Sequence, residues 1–283
     1  MTIKLVVTDM DGTFLNDKKE YDRKLAKKVF KELEARGITM MIASGNMVKK
    51  LESYFDKEDL NYLYLAGDNG ITLDHEGELV PIIEFNRPQY EDVLTYIEQF
   101  PEFIPIFSTG DECYILEGSP QWALDQFKIF FPDPIVLKDL RDVPKEKSLI
   151  KLALHTQKSI EHQKNFMRSV EEVFDFADSV TSGVGWVDIY PTGGGKGRAV
   201  NYMQEKLGIT AAETIAFGDS LNDRPMMYES RYSVAMENTD LELAHTACDY
   251  QIGSNEEQAV LHVLKEYLTA NSTDIFDKYQ LKK

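Results

Sequence analysis

Apolar residues in the N-terminal stretch follow two alternating rhythms. The run Ile3-Lys-Leu-Val-Val-Thr-Asp9 is short, β-branched and closed by polar residues, which predicts a buried strand. Residues 22–36 then place Leu25, Val29, Phe30 and Leu33 on one helical face, with Gly37 where a C-terminal cap belongs. Residues 38–43 are strand-like again. Strand, helix, strand in this order is a βαβ unit and implies a parallel sheet covered by helices. A third strand over 62–66 leads to Ile71-Thr-Leu-Asp, a Glu76-Gly77 turn and Leu79-Val-Pro-Ile-Ile, which predicts a β-hairpin.

From about residue 84 to 188 the texture changes to helix (89–100), two strands (104–107, 112–116), helix (122–131), strand (149–155), long helix (160–174) and two closing strands. This is α+β rather than strict alternation, and it reads as a second domain, 84–188, inserted into a core made of 1–83 and 189–283. The parallel pattern resumes with a helix at 198–207, a strand at 214–217, a short helix at 225–229, a strand at 232–235 and helices at 241–247 and 256–268. The last fifteen residues are polar and read as a loosely held tail. The expected architecture is a doubly wound, Rossmann-like α/β core carrying an α+β insertion.

Composition narrows the function. A chain of 283 residues, 43% hydrophobic and 28% charged, is ordinary for a soluble domain pair. No window approaches the ~18 consecutive apolar residues of a spanning helix. The N-terminus runs straight into the first strand without a signal-like segment, which points to the cytoplasm. A net charge of −17 argues against a nucleic-acid partner. Cys113 and Cys248 have no CxxC or Cys/His companion, so they read as reduced packing residues. The five histidines form no HxxxH pair, which argues against zinc.

In open parallel sheets, ligands bind beyond the carboxyl ends of the strands. The suggestive clusters fall there: Asp9-Met-Asp11-Gly12-Thr13 after the first strand, Ser44-Gly45-Asn46 after the second, and Gly218-Asp219-Ser220-Leu221-Asn222-Asp223 after the fourth. A further run, Gly193-Gly-Gly-Lys196-Gly, precedes the returning helix. Gly12 permits the bend that aims Asp9 and Asp11 at one pocket, and free amides in such a turn bind phosphate oxygens. Gathered carboxylates repel one another unless a cation sits among them, and hard oxygen ligands suit Mg2+. Lys196 adds positive charge and Ser44 a hydroxyl donor. A carboxylate nucleophile, a second carboxylate as acid/base, a metal and a lysine together make a phosphoryl-transfer site. Alone, a DxD is more often a solvated turn and Ser44 more often a helix cap. Their joint order makes the case.

The order DxDGT, a hydroxyl residue after a strand, Lys, then GDxxND resembles the haloacid dehalogenase superfamily. The large insertion before the lysine resembles its Cof-type phosphatases, subclass IIB. This resemblance spans nearly the whole chain, including Asp188-Ile189-Tyr-Pro followed by Lys196-Gly197. It implies Asp9 as the nucleophile that becomes an aspartyl phosphate, and Asp11 as the acid that protonates the leaving oxygen and then activates water. It further implies Mg2+ on Asp219, the Asp9 carboxylate and the Asp11 main chain with Asp223 in support, and phosphate held by Gly12, Ser44, Gly45, Lys196 and Asn222. The expected substrate is a small phosphorylated metabolite such as a sugar phosphate, hydrolysed as a monoester beneath the cap. Three departures stand out: Asn46 where the family usually has Arg, Ile71 in its Asn-Gly-Ala, and Gln258-Ala259 in place of Asp-Gly before the last helix, expected to be structural.

Other readings compete. Tyr190 and Gly197 break a P-loop over the glycine run, and Asp188 breaks a GxGxxG beginning at Gly183. Trp122, Phe127, Phe130 and Phe131, at helical spacing, read as core of the inserted domain rather than a base-stacking surface. Trp186 reads equally as pocket wall or packing residue. A sugar phosphomutase of the same superfamily and a phospho-accepting protein without turnover remain alternatives, the second disfavoured by Asp11. Ten basic against nineteen acidic residues in 84–188, a net of −9, argue against long polyanions and leave the substrate open.

Overall fold

The computed structural model describes residues 2–181 and 184–281. In chain order it contains β1 (Leu5–Thr8), α1 (Arg23–Ala35), β2 (Thr39–Ala43), α2 (Val48–Glu52), α3 (Lys57–Leu60), β3 (Leu63–Gly67), β4 (Thr72–His75), β5 (Glu78–Pro81), α4 (Arg87–Ile97), β6 (Ile104–Ser108), β7 (Cys113–Leu116) and α5 (Gln121–Phe130). There follow β8 (Ile135–Leu137), β9 (Lys151–His155), α6 (Ile160–Val173), β10 (Ala177–Thr181), β11 (Trp186–Pro191), α7 (Lys196–Leu207), β12 (Thr214–Gly218), α8 (Arg224–Tyr228), β13 (Tyr232–Ala235), α9 (Leu241–Ala247), β14 (Tyr250–Gln251) and α10 (Ala259–Ala270).

These strands make two sheets. The first has the order β14-β13-β12-β1-β2-β3-β4-β5. It is parallel from β14 to β3 and closes on the antiparallel hairpin β4–β5. Its central strands are buried along their whole length, as strands covered on both faces must be. On one face Val6, Ile42 and Phe217 pack with Phe30 of α1 and Leu264 of α10. On the other, Val7, Met41 and Ala216 pack with Val200 of α7, Met226 of α8 and Leu243 of α9. The α/β core is therefore doubly wound, with β1 at the centre.

The second sheet has the order β10-β11-β9-β6-β7-β8 and is antiparallel except between β7 and β8. Helices α4 and α6 cover one face through Tyr90, Val93, Phe166 and Val170. Its other face carries α5 and meets the first sheet's loops, with Met47 packed among Ile106, Ala153 and Phe127. Trp186 is a packing residue, its ring 5.4 Å from that of Phe130 and 4.7 Å from that of His155. Phe127 and Phe131 are buried beside it and Trp122 and Phe130 partly so, as expected of a domain core.

Several boundaries differ from the periodicity. Helix α7 begins at Lys196, two residues before the predicted start, because Gly195 caps it and the glycine run hides the first turn from a propensity reading. Strands β8 and β14, three and two residues long, are too short to show a period. The polar tail is held rather than loose. Thr273–Tyr279 forms a 3-10 turn that inserts Phe276, 1% exposed, against Tyr232, Tyr250 and Tyr267. One aromatic anchor carries no periodicity, so its burial was invisible in sequence. Phe276→Ala is expected to cost about 3–5 kcal/mol, read as a fall in the midpoint of thermal unfolding. Gln258 lies at φ +54° and accepts a hydrogen bond from the Asp22 N–H at 2.8 Å, a structural role at the entrance to α10. Neither buried cysteine forms a disulfide, and among the described residues no helix is long and apolar enough to cross a membrane.

Candidate active site

Parallel pairing of β12 with β1 and of β1 with β2 puts three loops side by side at the carboxyl edge of the first sheet. Asp9 follows β1, Ser44 follows β2 and Asp219 follows β12, while Lys196 enters from the first residue of α7. Gly12 turns the first loop at φ +83°, and a Cβ there would lie 2.6 Å from Asp219 Oδ2. Only glycine lets the two loops approach this closely.

Lys196 Nζ, 1% exposed, donates to Asp9 Oδ1 and to Asp223 Oδ1 at 2.5 Å each. Asp223 Oδ2 accepts the N–H groups of Asp219 at 2.9 Å and Ser220 at 3.0 Å, which ties its loop into a fixed turn. Asp219 Oδ1 accepts from Thr13 Oγ1 at 2.8 Å. Oxygens of Asp9, Asp219 and Asp223 lie within 4.8 Å of one another. Asp223 is committed to Lys196 and the turn, so Asp9 and Asp219 are better placed to take a cation.

Charge in this pocket is unbalanced. Burial holds Asp9 well above the usual carboxylate range; Lys196 counters this, and Asp223, Asp219 and Asp11 reinforce it. Burial, with Asp223, pushes Asp219 up to about 6. Burial works against the charge of Lys196, yet Asp223 and Asp9 hold it above its ordinary value. Three carboxylates face one ammonium, and all three offer hard oxygen donors. The residues present therefore fit a divalent cation such as Mg2+ better than a soft or nitrogen-preferring metal.

Asp11 is separate from the three-carboxylate group. Its Oδ1 accepts from Lys19 Nζ at 2.6 Å and its Oδ2 from Asn46 Nδ2 at 2.9 Å. Its side chain is about a third exposed. Asn46, which stands where the resembling family usually has an arginine, thus contacts Asp11 directly. Ser44 is buried; its Oγ accepts the Asn46 N–H at 3.1 Å and its carbonyl accepts the Asn69 N–H at 2.8 Å. Asn222 accepts from Ser220 Oγ at 2.5 Å. Thr13 and Asn46 lie within the motifs singled out by sequence but had no contact assigned to them, and Lys19 lies outside those motifs. The positional hint was that Thr13 and Asn46 each stand two residues beyond a singled-out residue, Asp11 and Ser44; nothing marked Lys19.

Residues 6–264 match the haloacid dehalogenase-like hydrolase family. The chain is 28% identical over 269 residues to the 5-amino-6-(5-phospho-D-ribitylamino)uracil phosphatase YbjI of Escherichia coli, spanning 95% of this chain and 97% of that protein. It is 24% identical over 271 residues to the HMP-PP phosphatase of Yersinia pseudotuberculosis, spanning 94% and 96%. The crystal structure of SMU.1108c from Streptococcus mutans UA159 superposes with a TM-score of 0.86 at 28% identity, covering 95% of this chain and all of that one. A match over nearly the full length, joined to the carboxylates and lysine assembled at the sheet edge, places this chain in the haloacid dehalogenase-like hydrolase family.

Proposed function

We propose that the protein hydrolyses the phosphate monoester of a small metabolite with Mg2+, through an aspartyl phosphate on Asp9. The observation that carries this reading is the Lys196 bridge between buried Asp9 and Asp223, with Asp11 two residues along the chain and held by its own donors. Asp9 attacks phosphorus as the bond to the leaving oxygen breaks, and Asp11 gives that oxygen a proton. Asp11 then takes a proton from water as it attacks phosphorus, the Asp9–phosphorus bond breaks, and inorganic phosphate leaves. Gly12, Ser44, Gly45, Lys196 and Asn222 hold the phosphoryl oxygens. Mg2+, held by Asp9, Asp219 and the Asp11 main chain with Asp223 in support, would neutralise phosphoryl charge and keep Asp9 ionised.

Residues 84–188 serve in this reading as a cap that covers the site and contacts the leaving group, and the buried thiols suit a reducing cytoplasm. The name of the E. coli relative supports a phosphate on a polyol chain bearing a heterocycle as one substrate class. Phosphate release from a panel of such esters and sugar phosphates tests the reading. Activity is expected with Mg2+ and none in excess chelator; undiminished activity in chelator would overturn it.

A thermal-shift measurement checks the site independently. Folding raises the Asp219 carboxyl from 3.8 to about 6 and raises Asp9 as well, so both favour the protonated form. Their contribution to stability is complete below the unfolded value and is lost as pH rises through about 6. Without metal, the fold carries this penalty at neutral pH and escapes it in acid. Mg2+ at ~100 times its dissociation constant adds about 2.7 kcal/mol, so a clear rise in unfolding temperature is expected near neutrality and a much smaller one at about pH 5. Equal shifts at both would exclude these carboxylates as ligands.

A further inference from the structure

The polar groups that join the two sheets stand outside the carboxylate cluster, and one is a lysine with almost no exposed surface. Lys151, the first residue of β9, is 1% exposed. Its Nζ donates to the Gly45 carbonyl at 2.7 Å and lies 3.4 Å from Asp68 Oδ1 and 3.5 Å from Asp188 Oδ2. Asp68 and Asp188 are as deeply buried. Asp188 belongs to β11, beside β9 in the second sheet, while Gly45 and Asp68 belong to the loops of the first. Asn69 Nδ2 closes the junction by donating to Asp188 Oδ2 at 2.7 Å.

The segment 68–70 is itself wedged into the phosphoryl site. Asp68 and Asn69 take φ of +51° and +60°, the left-handed region that Asp and Asn adopt more readily than other side chains and that turns the chain here. A Cβ at Gly70 would lie 2.8 Å from Lys196 Cα. The Asn69 N–H reaches the Ser44 carbonyl. This one turn therefore touches Ser44, Lys196 and the second sheet together.

An ammonium and two carboxylates are costly to desolvate, and an apolar trio of the same volume would join the sheets as well or better. Stability is a poor reason for such an arrangement. What an apolar trio could not supply is a donor for the Gly45 carbonyl. That carbonyl sits on the peptide between Gly45 and Asn46, with the Ser44 hydroxyl on one side and the Asn46 amide that holds Asp11 on the other.

We propose that Lys151 is a positioning residue for the phosphoryl site: from the second sheet it fixes the 44–46 turn, so that the phosphate grip is complete only while the two sheets are docked. The proposal rests on the phosphatase reading above.

Lys151→Met in the full chain tests it. The expected result is a fall of about 10- to 100-fold in kcat/KM for p-nitrophenyl phosphate, the size of effect that small misplacements cause, with inhibition by inorganic phosphate weakened by a similar factor. The Mg2+ concentration for half-maximal activity should not move, since Asp9 and Asp219 are untouched. Because the single variant strands two buried carboxylates, the neutral triple variant Lys151→Met, Asp68→Asn, Asp188→Asn accompanies it. Positioning predicts that the triple variant regains thermal stability but not phosphate affinity; recovery of phosphate affinity there, or unchanged inhibition in Lys151→Met, overturns the proposal.

A measurement on the unmodified protein needs no variant to fold. Inorganic phosphate with Mg2+ is expected to slow amide hydrogen exchange in 149–155 as well as in 44–46, whereas protection confined to 44–46 overturns the proposal. Failure of the phosphatase reading is distinguishable, because the wild-type protein would then release no phosphate from any ester. Calorimetric binding of inorganic phosphate to wild type and triple variant would still decide the role of Lys151.

Discussion

Asp9→Asn is expected to lower phosphatase turnover by on the order of 10⁴- to 10⁶-fold, the loss seen when a covalent nucleophile is removed, while the protein stays folded. The geometry separates these two effects. Asp9 is almost wholly buried and its neutral form is favoured there, so an uncharged isostere removes a desolvation cost rather than creating one. Lys196 keeps Asp223 as an ion-pair partner. The unfolding temperature without metal is therefore expected to stay level or rise, and the gain from Mg2+ to shrink because one of its ligands has lost its charge. Turnover within about tenfold of wild type, far short of a nucleophile's contribution, would mean that water rather than Asp9 attacks phosphorus.

Asp11→Asn is expected to act on a different step. General acid–base help is worth about 10²–10⁴-fold, and the loss should fall most heavily on alkyl phosphates, whose leaving oxygen needs a proton. An aryl phosphate leaves without one, so its first step should survive while hydrolysis of the aspartyl phosphate stalls. Mass spectrometry of Asp11→Asn after mixing with an aryl phosphate and Mg2+ should show one added phosphoryl group on Asp9. An adduct on Ser44, or none while wild type turns over, would reassign the nucleophile. Lys19 and Asn46 hold one oxygen of Asp11 each, so Asp11→Asn also disturbs their hydrogen bonds. Lys19→Met is the control: it removes one donor from Asp11 and should slow turnover without trapping the phosphoenzyme.

Much of this molecule is local in origin. The alternation of strands and helices along the first sheet is written in periods of two and 3.6 residues, and both periods are properties of a short window. The placement of Asp9, Ser44, Asp219 and Lys196 at element ends follows from the same windows, since each cluster begins where an apolar run stops. Their joint order was enough to suggest the family. Where the local signal was thin, as at the two-residue strand β14 and the glycine-masked start of α7, the reading failed for that reason.

Contacts are another matter. Lys196 and Asp9 are 187 positions apart, and Thr13 and Asp219 are 206 apart. Lys151 reaches Gly45 across 106 positions and between two sheets. No periodicity encodes such meetings; they arise because parallel pairing of β12, β1 and β2 fixes which loops adjoin, and because close packing leaves each side chain few places to go. The same holds for Trp186, which sequence left undecided and packing placed among Phe127, Phe130 and Phe131, and for Phe276, which anchors a tail that looked merely polar. Sequence determined the elements and the chemical groups at their ends. The tertiary structure alone decided that Asn46 and Lys19 hold Asp11, and that a buried lysine of one sheet holds a loop of the other, because burial and hydrogen-bond pairing are settled only when distant segments exclude water together.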